Sequence, residues 1–275
     1  MKNPGFLLFF LACLTGCKSS PSSGTEGDGA SSPKISGEEI SYTTDSVTMK
    51  GYLVKDQSLT DPRPGVLVVH EWWGHNDYAR RRATMLAEMG YVAFAVDMYG
   101  DGKTADHPED AGKFAGAVMA NMSEARARFS QALEVLGNDS HCDATKIAAI
   151  GYCFGGGVVL NMALQGVDLN GVASFHGSLP TPDTVDGGGI KAALLVCHGA
   201  DDPFIPAETV QTFQQKMQDA GVDLTFESYE GAVHSFTSPT ADSLGKKFEM
   251  PLAYNAAADQ ASWQALETFL TRIFE

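Results

Sequence analysis

Three stretches of this sequence carry side chains that could perform nucleophilic chemistry together. The first is Gly151-Tyr152-Cys153-Phe154-Gly155-Gly156-Gly157, lying between an apolar run that ends at Ile150 and a helical stretch. It has the form of the G-x-S-x-G elbow, with cysteine in place of serine. A nucleophile on a sharp strand-to-helix turn needs neighbours without Cβ atoms so that the turn can close. The helix N-terminus behind it favours a thiolate, and the backbone N–H of Phe154 is placed to stabilise an oxyanion. The second stretch runs from Cys197-His198-Gly199 through Ala200-Asp201-Asp202-Pro203 to Pro206. A carboxylate in such a loop can orient a histidine. Two aspartates compete. Asp202 stands where the acid usually sits in this loop type, three residues after Gly199 and four before Pro206, and Asp201 is accounted for by turn chemistry. The third stretch, Glu230 to Phe236, contains His234. Alone, Cys153 could be one more buried thiol and His234 one more structural imidazole. Together, in the order nucleophile, acid, base, they suit acyl transfer.

Such groups need strand ends to hold them. Apolar runs occur at Gly65–Val69, Tyr91–Val96, Ile147–Ile150, Val172–Phe175, Ala192–Val196 and Leu224–Tyr229. Continuous apolar runs suit strands buried on both faces of a parallel sheet. Helical patterns are read at 76–89, 123–137, 155–165, 207–220 and 255–273. The alternation predicts an α/β fold: a mostly parallel sheet with helices on both faces and right-handed crossovers. An antiparallel hairpin is expected over Ile40–Val54. Chemistry in such sheets sits beyond the carboxyl ends of the strands, which is where the three stretches fall.

From about residue 40 onward the chain resembles the dienelactone hydrolase family of the α/β-hydrolase fold. The resemblance rests on His70-Glu71-Trp72-Trp73-Gly74, Asp97-Met98-Tyr99, Gly151 to Gly156 with its cysteine, Asp202, and Gly231 to Phe236. It implies a hydrolase of ester or lactone bonds with catalytic Cys153, Asp202, His234 and Glu71, and no cofactor or metal. Trp72 and Phe154 would supply the oxyanion N–H groups. Trp73, Tyr99 and Phe236 would line the substrate pocket. Glu71, by resemblance, sits beside the nucleophile and exchanges a proton with it; the competing reading pairs Glu71 with Arg80, Arg81 or Arg82. The family's namesakes clamp a carboxylate-bearing substrate with arginines, one of them four residues after the histidine. That position is Ser238 here, and the stretch between Tyr99 and Ser123 holds lysines but no arginine. A neutral or weakly charged ester is therefore expected, the bidentate clamp being absent. Segment 100–122, with Gly100-Asp101-Gly102 and a run of Ala, Met and Lys, is read as a mobile lid.

The N-terminus carries a different signal. Lys2 precedes an apolar stretch, Phe6–Leu14, too short to span a bilayer of about 30 Å. Leu14-Thr15-Gly16-Cys17 then resembles the lipobox of bacterial lipoproteins. The expectation is a signal peptide over 1–16, lipidated Cys17, a Ser/Gly/Pro-rich tether over 17–37 and a catalytic domain over 38–275. Lys18 after the cysteine points, by resemblance, to the outer membrane in a two-membrane host, facing the periplasm or the surface. A catalytically inactive ligand-binding lipoprotein on the same fold is the alternative.

Composition narrows the partners. The chain has 275 residues, 44% hydrophobic and 19% charged, as expected of a folded globular domain, with a net charge of -15. So acidic a chain is a poor binder of nucleic acid. The expected partners are a small-molecule ester or lactone substrate and, through the N-terminal lipid, a membrane; a monomer is expected. Of the five cysteines, Cys142 and Cys197 are expected to be reduced and to sit on opposite edges of the sheet. His75-Asn76-Asp77 reads as a helix cap, and Arg80–Arg82 as a solvated helix face.

Overall fold

The computed structural model describes Met1 and residues 33–44 and 46–275. The expected signal peptide beyond Met1, Cys17 and most of the expected tether lie outside the described residues. The body from Pro33 to Glu275 forms one compact unit, and none of its helices is long and apolar enough to cross a membrane.

Two antiparallel strands, β1 (Ile35–Thr43) and β2 (Thr48–Asp56), open the fold. There follow β3 (Arg63–Val69), α1 (Asp77–Glu88), β4 (Val92–Val96), α2 (Pro108–Ala120) and α3 (Met122–Gly137). The second half runs through β5 (Cys142–Tyr152), α4 (Phe154–Leu164), β6 (Gly171–Phe175), β7 (Ala193–Gly199) and α5 (Ala207–Asp219). It ends with β8 (Leu224–Tyr229), α6 (Ala241–Phe248) and α7 (Ala256–Phe274). The eight strands form one sheet in the order β1-β2-β4-β3-β5-β6-β7-β8, parallel from β4 to β8. The α/β architecture is therefore as the apolar runs implied. Every residue of β4, β6 and β7 is buried, because helices cover both faces. α1 and α7 pack on one face through Ala79, Ala83, Leu86, Leu266, Phe269 and Leu270. α3, α4 and α5 pack on the other, with Phe129, Val158, Val159, Phe213 and Met217.

Several expectations need correction. The hairpin begins at Ile35 rather than Ile40, so the last residues assigned to the tether belong to β1, where Ile35 pairs with Asp56. The segment read as a lid contains a helix, α2, started by a His107 side-chain cap and by Pro108 at the first helical position. Ala111 of α2 is fully buried beside Trp73, so the segment is packed against the body. α6 was not anticipated. Cys142 stands at the start of β5, in the middle of the sheet rather than at an edge, whereas Cys197 lies near the end of β7, two strands away. Both are buried and free. Arg82 is also not solvated: it is 5% exposed. It donates to Asp259 of α7 at 2.6 Å and to the Thr237 carbonyl at 2.8 Å, and its guanidinium lies against the Trp263 ring of α7. Asn76 does cap α1, accepting from the Tyr78 N–H.

Candidate active site

Cys153 sits between the last residue of β5 and the first of α4, with φ 52° and ψ -115°. A non-glycine residue at positive φ stores strain, and such strain persists only where its surroundings impose it. Here they do. A Cβ on Gly151 would collide with the Gly155 carbonyl, and one on Gly155 with the carbonyls of Val69 and His70. The turn closes because those positions are glycine. The Gly155 N–H then donates to the His70 carbonyl at 3.1 Å, tying the start of α4 to the end of β3.

Two loops bring the partners. Asp202 follows β7 and is 4% exposed; its Oδ1 accepts from the Phe204 N–H at 2.9 Å. Its Oδ2 lies 2.7 Å from His234 Nδ1, and His234 Nε2 lies 3.1 Å from Cys153 Sγ. Three groups far apart in sequence thus form one line of contacts at the carboxyl ends of β5, β7 and β8. Burial alone would lower the His234 pKa. The Cys153 sulfur and the Asp202 carboxylate outweigh it and push the imidazole up to about 10. The pair therefore favours a protonated imidazole beside the sulfur. The competing Asp201 is exposed.

Glu71, just beyond β3, is 4% exposed and accepts from Ser235 Oγ at 3.2 Å. None of Arg80, Arg81 and Arg82 forms an ion pair with it: Arg80 pairs with Glu39 and Arg82 with Asp259. Burial raises the Glu71 pKa to about 7, against the opposing influence of His234, the Ser235 hydroxyl and Arg82. Its hydrogen-bond partner among the described residues is Ser235 rather than Cys153. The N–H groups of Trp72 and Phe154 have no acceptor among the described residues and stand on either side of the β3–α4 junction. His70 braces that junction. Its Nε2 accepts from the Met98 N–H at 3.2 Å, Nδ1 donates to the Glu71 carbonyl at 2.5 Å, and the ring packs on Tyr99 and Phe154. Burial holds its pKa down at about 4, so it is neutral.

The aromatic residues divide. Tyr99 donates to the Trp72 carbonyl at 2.9 Å, and Trp73 packs on Phe248 of α6. Phe236 has no exposed surface and lies under His176 and Tyr229. It is a core residue and not a pocket wall, because the chain after His234 turns inward onto the sheet. Phe204, missed in the sequence, is 46% exposed with its ring against His234. Ser235 and His176 were missed as well, although each directly follows a recognisable landmark, the histidine in one case and the end of β6 in the other. Ser238, at the position of the expected arginine, is 2% exposed and bonded to Thr240.

The chain is similar to known proteins. Residues 49–274 match the dienelactone hydrolase family. A crystal structure of a dienelactone hydrolase-like promiscuous phosphotriesterase from metagenomic libraries superposes with a TM-score of 0.82 at 35% identity, covering 88% of this chain and 99% of that one. Among curated relatives, the protein usf of Aquifex pyrophilus is 27% identical over 85% of this chain and 97% of its own length. A protein of Aquifex aeolicus named after carboxymethylenebutenolidase is 27% identical over 73% of this chain and 87% of its own.

Proposed function

We infer that this chain, which belongs to the dienelactone hydrolase family and is thus a hydrolase of ester bonds, works through Cys153, His234 and Asp202 by way of a thioester. The observation that carries this reading is the line of contacts from Asp202 through His234 to Cys153, at 2.7 and 3.1 Å. In the first step Cys153 Sγ bonds to the substrate carbonyl carbon, and the imidazole of His234 holds the thiol proton. The oxyanion is received by the N–H groups of Trp72 and Phe154. As the tetrahedral species collapses, the carbon–oxygen bond breaks and His234 returns the proton to the leaving alcohol. His234 then takes a proton from water, which attacks the thioester and releases the acid. Asp202 keeps Nδ1 protonated and Nε2 facing the sulfur throughout. Glu71, buried and held by Ser235, is a protonatable carboxyl within the same enclosure.

The preferred substrate is a small ester or lactone without a carboxylate. Ser238 replaces the expected arginine, Arg82 is committed to Asp259 and Thr237, and Lys103 is paired with Asp101. The similar structure described as a promiscuous phosphotriesterase makes a phosphotriester such as paraoxon a sensible addition to the substrate panel. Incubating the protein with p-nitrophenyl acetate, quenching with acid and weighing the peptides tests the mechanism. Acetyl mass on the Cys153 peptide is expected. Hydrolysis with no acyl-enzyme, or at an unchanged rate in Cys153→Ala, overturns it. A Cys153 inert to iodoacetamide in a protein that still binds esters tightly would instead favour the ligand-binding alternative.

We also propose that the protein is carried as a lipoprotein anchored through Cys17 in the cell envelope, supported by Leu14-Thr15-Gly16-Cys17 and the polar stretch after it. Cys17→Ser should move it from the membrane fraction to the soluble fraction; persistence in the membrane would refute the anchor.

A further inference from the structure

His176 directly follows β6 and is 1% exposed, yet the triad does not use it. Its backbone is at φ 39°, a second strained non-glycine residue within reach of the nucleophile. Its own N–H donates to the Cys197 carbonyl at 2.8 Å. Its ring lies 5.4 Å from that of His234, edge to face.

The polar contacts around His176 leave one consistent placement of protons. The Cys153 N–H, an obligate donor, points to His176 Nδ1 at 3.2 Å and shares that proton with the Phe175 carbonyl at 3.0 Å. Nδ1 is therefore an acceptor, so the ring proton sits on Nε2 and is donated to Thr237 Oγ1 at 2.7 Å. Thr237 Oγ1, having accepted, donates to the Tyr78 hydroxyl at 2.6 Å. That oxygen also accepts from Arg82 Nε at 3.2 Å, and its own proton goes to the Thr237 carbonyl at 3.3 Å. Arg82 is held in turn by Asp259 at 2.6 Å. The chain has an obligate donor at each end, the Arg82 guanidinium and the Cys153 amide, and every oxygen between them is satisfied. A second proton on His176 would have no acceptor and would break the bond to Cys153.

Resting on the thioester mechanism above, we propose that His176 is a positioning residue. As a neutral acceptor locked in one tautomer, it holds the backbone amide of Cys153 in the strained elbow so that Sγ stays opposite His234 Nε2. Thr237 lies three residues after His234, so the same chain of bonds also ties the histidine loop to the nucleophile. The titratable and charged groups facing His176 are His234 from that loop, Tyr78 and Arg82 from α1, and Tyr152 and Cys153 from the elbow. A neutral ring adds no second positive charge next to His234, which matters because His234 is the group that must carry one.

The test compares His176→Phe, which keeps an aromatic ring but has no acceptor, with His176→Asn, whose Oδ1 can take the Cys153 N–H. For p-nitrophenyl acetate, His176→Phe should lower kcat by about 10- to 50-fold while KM changes little, as expected of a misplaced nucleophile. The midpoint of its iodoacetamide alkylation rate against pH should rise relative to the wild type. His176→Asn should stay near the wild type in both readouts. The proposal is overturned if folded His176→Phe matches the wild type in both, or if His176→Asn falls as far as His176→Phe. Should His176→Phe not fold, Thr237→Val, which removes the acceptor of the Nε2 proton, decides instead. A raised alkylation midpoint supports the proposal, and an unchanged kcat and midpoint refute it. A wild-type protein without esterase activity would refute the hydrolytic mechanism, while the alkylation profiles would still judge the role of His176.

Discussion

Ser235 Oγ donates to Glu71 Oε1 across 3.2 Å, joining the residue after the histidine to the loop after β3 in a place almost closed to solvent. Burial raises the Glu71 pKa to about 7, from an ordinary value of 4.5. Between those two values the folded protein binds more protons than the unfolded chain. Stability contributed by the protonated carboxyl is thus complete below pH 4.5 and is lost as pH rises through 7. Glu71→Gln cannot ionise. Relative to the wild type it should gain stability from acid to mildly alkaline pH, by up to roughly 3 kcal/mol. Urea unfolding at pH 5 and pH 8 reads this directly, and a stability gap that is the same at both would contradict it.

The three described cysteines should differ sharply in reactivity. Burial raises both Cys142 and Cys197 to about 12. Cys153 is half-buried and faces His234. At pH 7.5 a short exposure to iodoacetamide should label Cys153 and spare the other two, as read by peptide mass mapping. Comparable labelling of Cys142 or Cys197 in the folded protein would refute this.

Removing either end of the thiol–imidazole pair should abolish the same chemistry. Cys153→Ala and His234→Ala should each reduce kcat for a p-nitrophenyl ester by at least about 10³-fold, and the double variant should be little worse than either single one. Asp202→Asn, which leaves the wrong proton facing His234 Nδ1, should cost on the order of 10²- to 10⁴-fold. Stopped-flow or plate assays suffice, and wild-type rates in the first two variants would sink the mechanism.

The Arg82–Asp259 pair predicts a stability effect away from the thiol. Arg82 has 6% of its side chain exposed and Asp259 has 17%. Asp259→Ala leaves a buried guanidinium without its partner and should cost roughly 3 kcal/mol. The double variant Arg82→Met/Asp259→Leu should be less destabilised than Asp259→Ala alone, because no unpaired charge remains. Urea midpoints of the two variants check the order, and the reverse order would argue against a desolvated pair.

Much of this was legible in the sequence, and for a local reason. The elbow is written in Gly151 and Gly155 because only residues without Cβ allow the strand-to-helix turn. The apolar runs within β4, β6 and β7 announce burial on both faces, and the Asp202 and His234 loops follow their strands in order. Strand alternation, helix periodicity and capping depend on neighbours a few residues away, so they survive in a one-dimensional reading. α2 was misread because its Ala- and Gly-rich pattern has a weak apolar stripe, and its helical start depends on His107 and Pro108.

What the sequence by itself determined is the fold class, the nucleophile turn and the strand ends from which the reactive groups project. The tertiary structure alone decided which groups meet across long separations. Arg82 reaches Asp259 over 177 residues, Glu71 reaches Ser235 over 164, and His176 finds both Cys153 and Thr237. Those contacts depend on the order β5-β6-β7 in the sheet and on α1 and α7 packing on the same face of it. A buried polar atom must take its partner from whatever the packing brings within about 3 Å, and no local pattern encodes that neighbour.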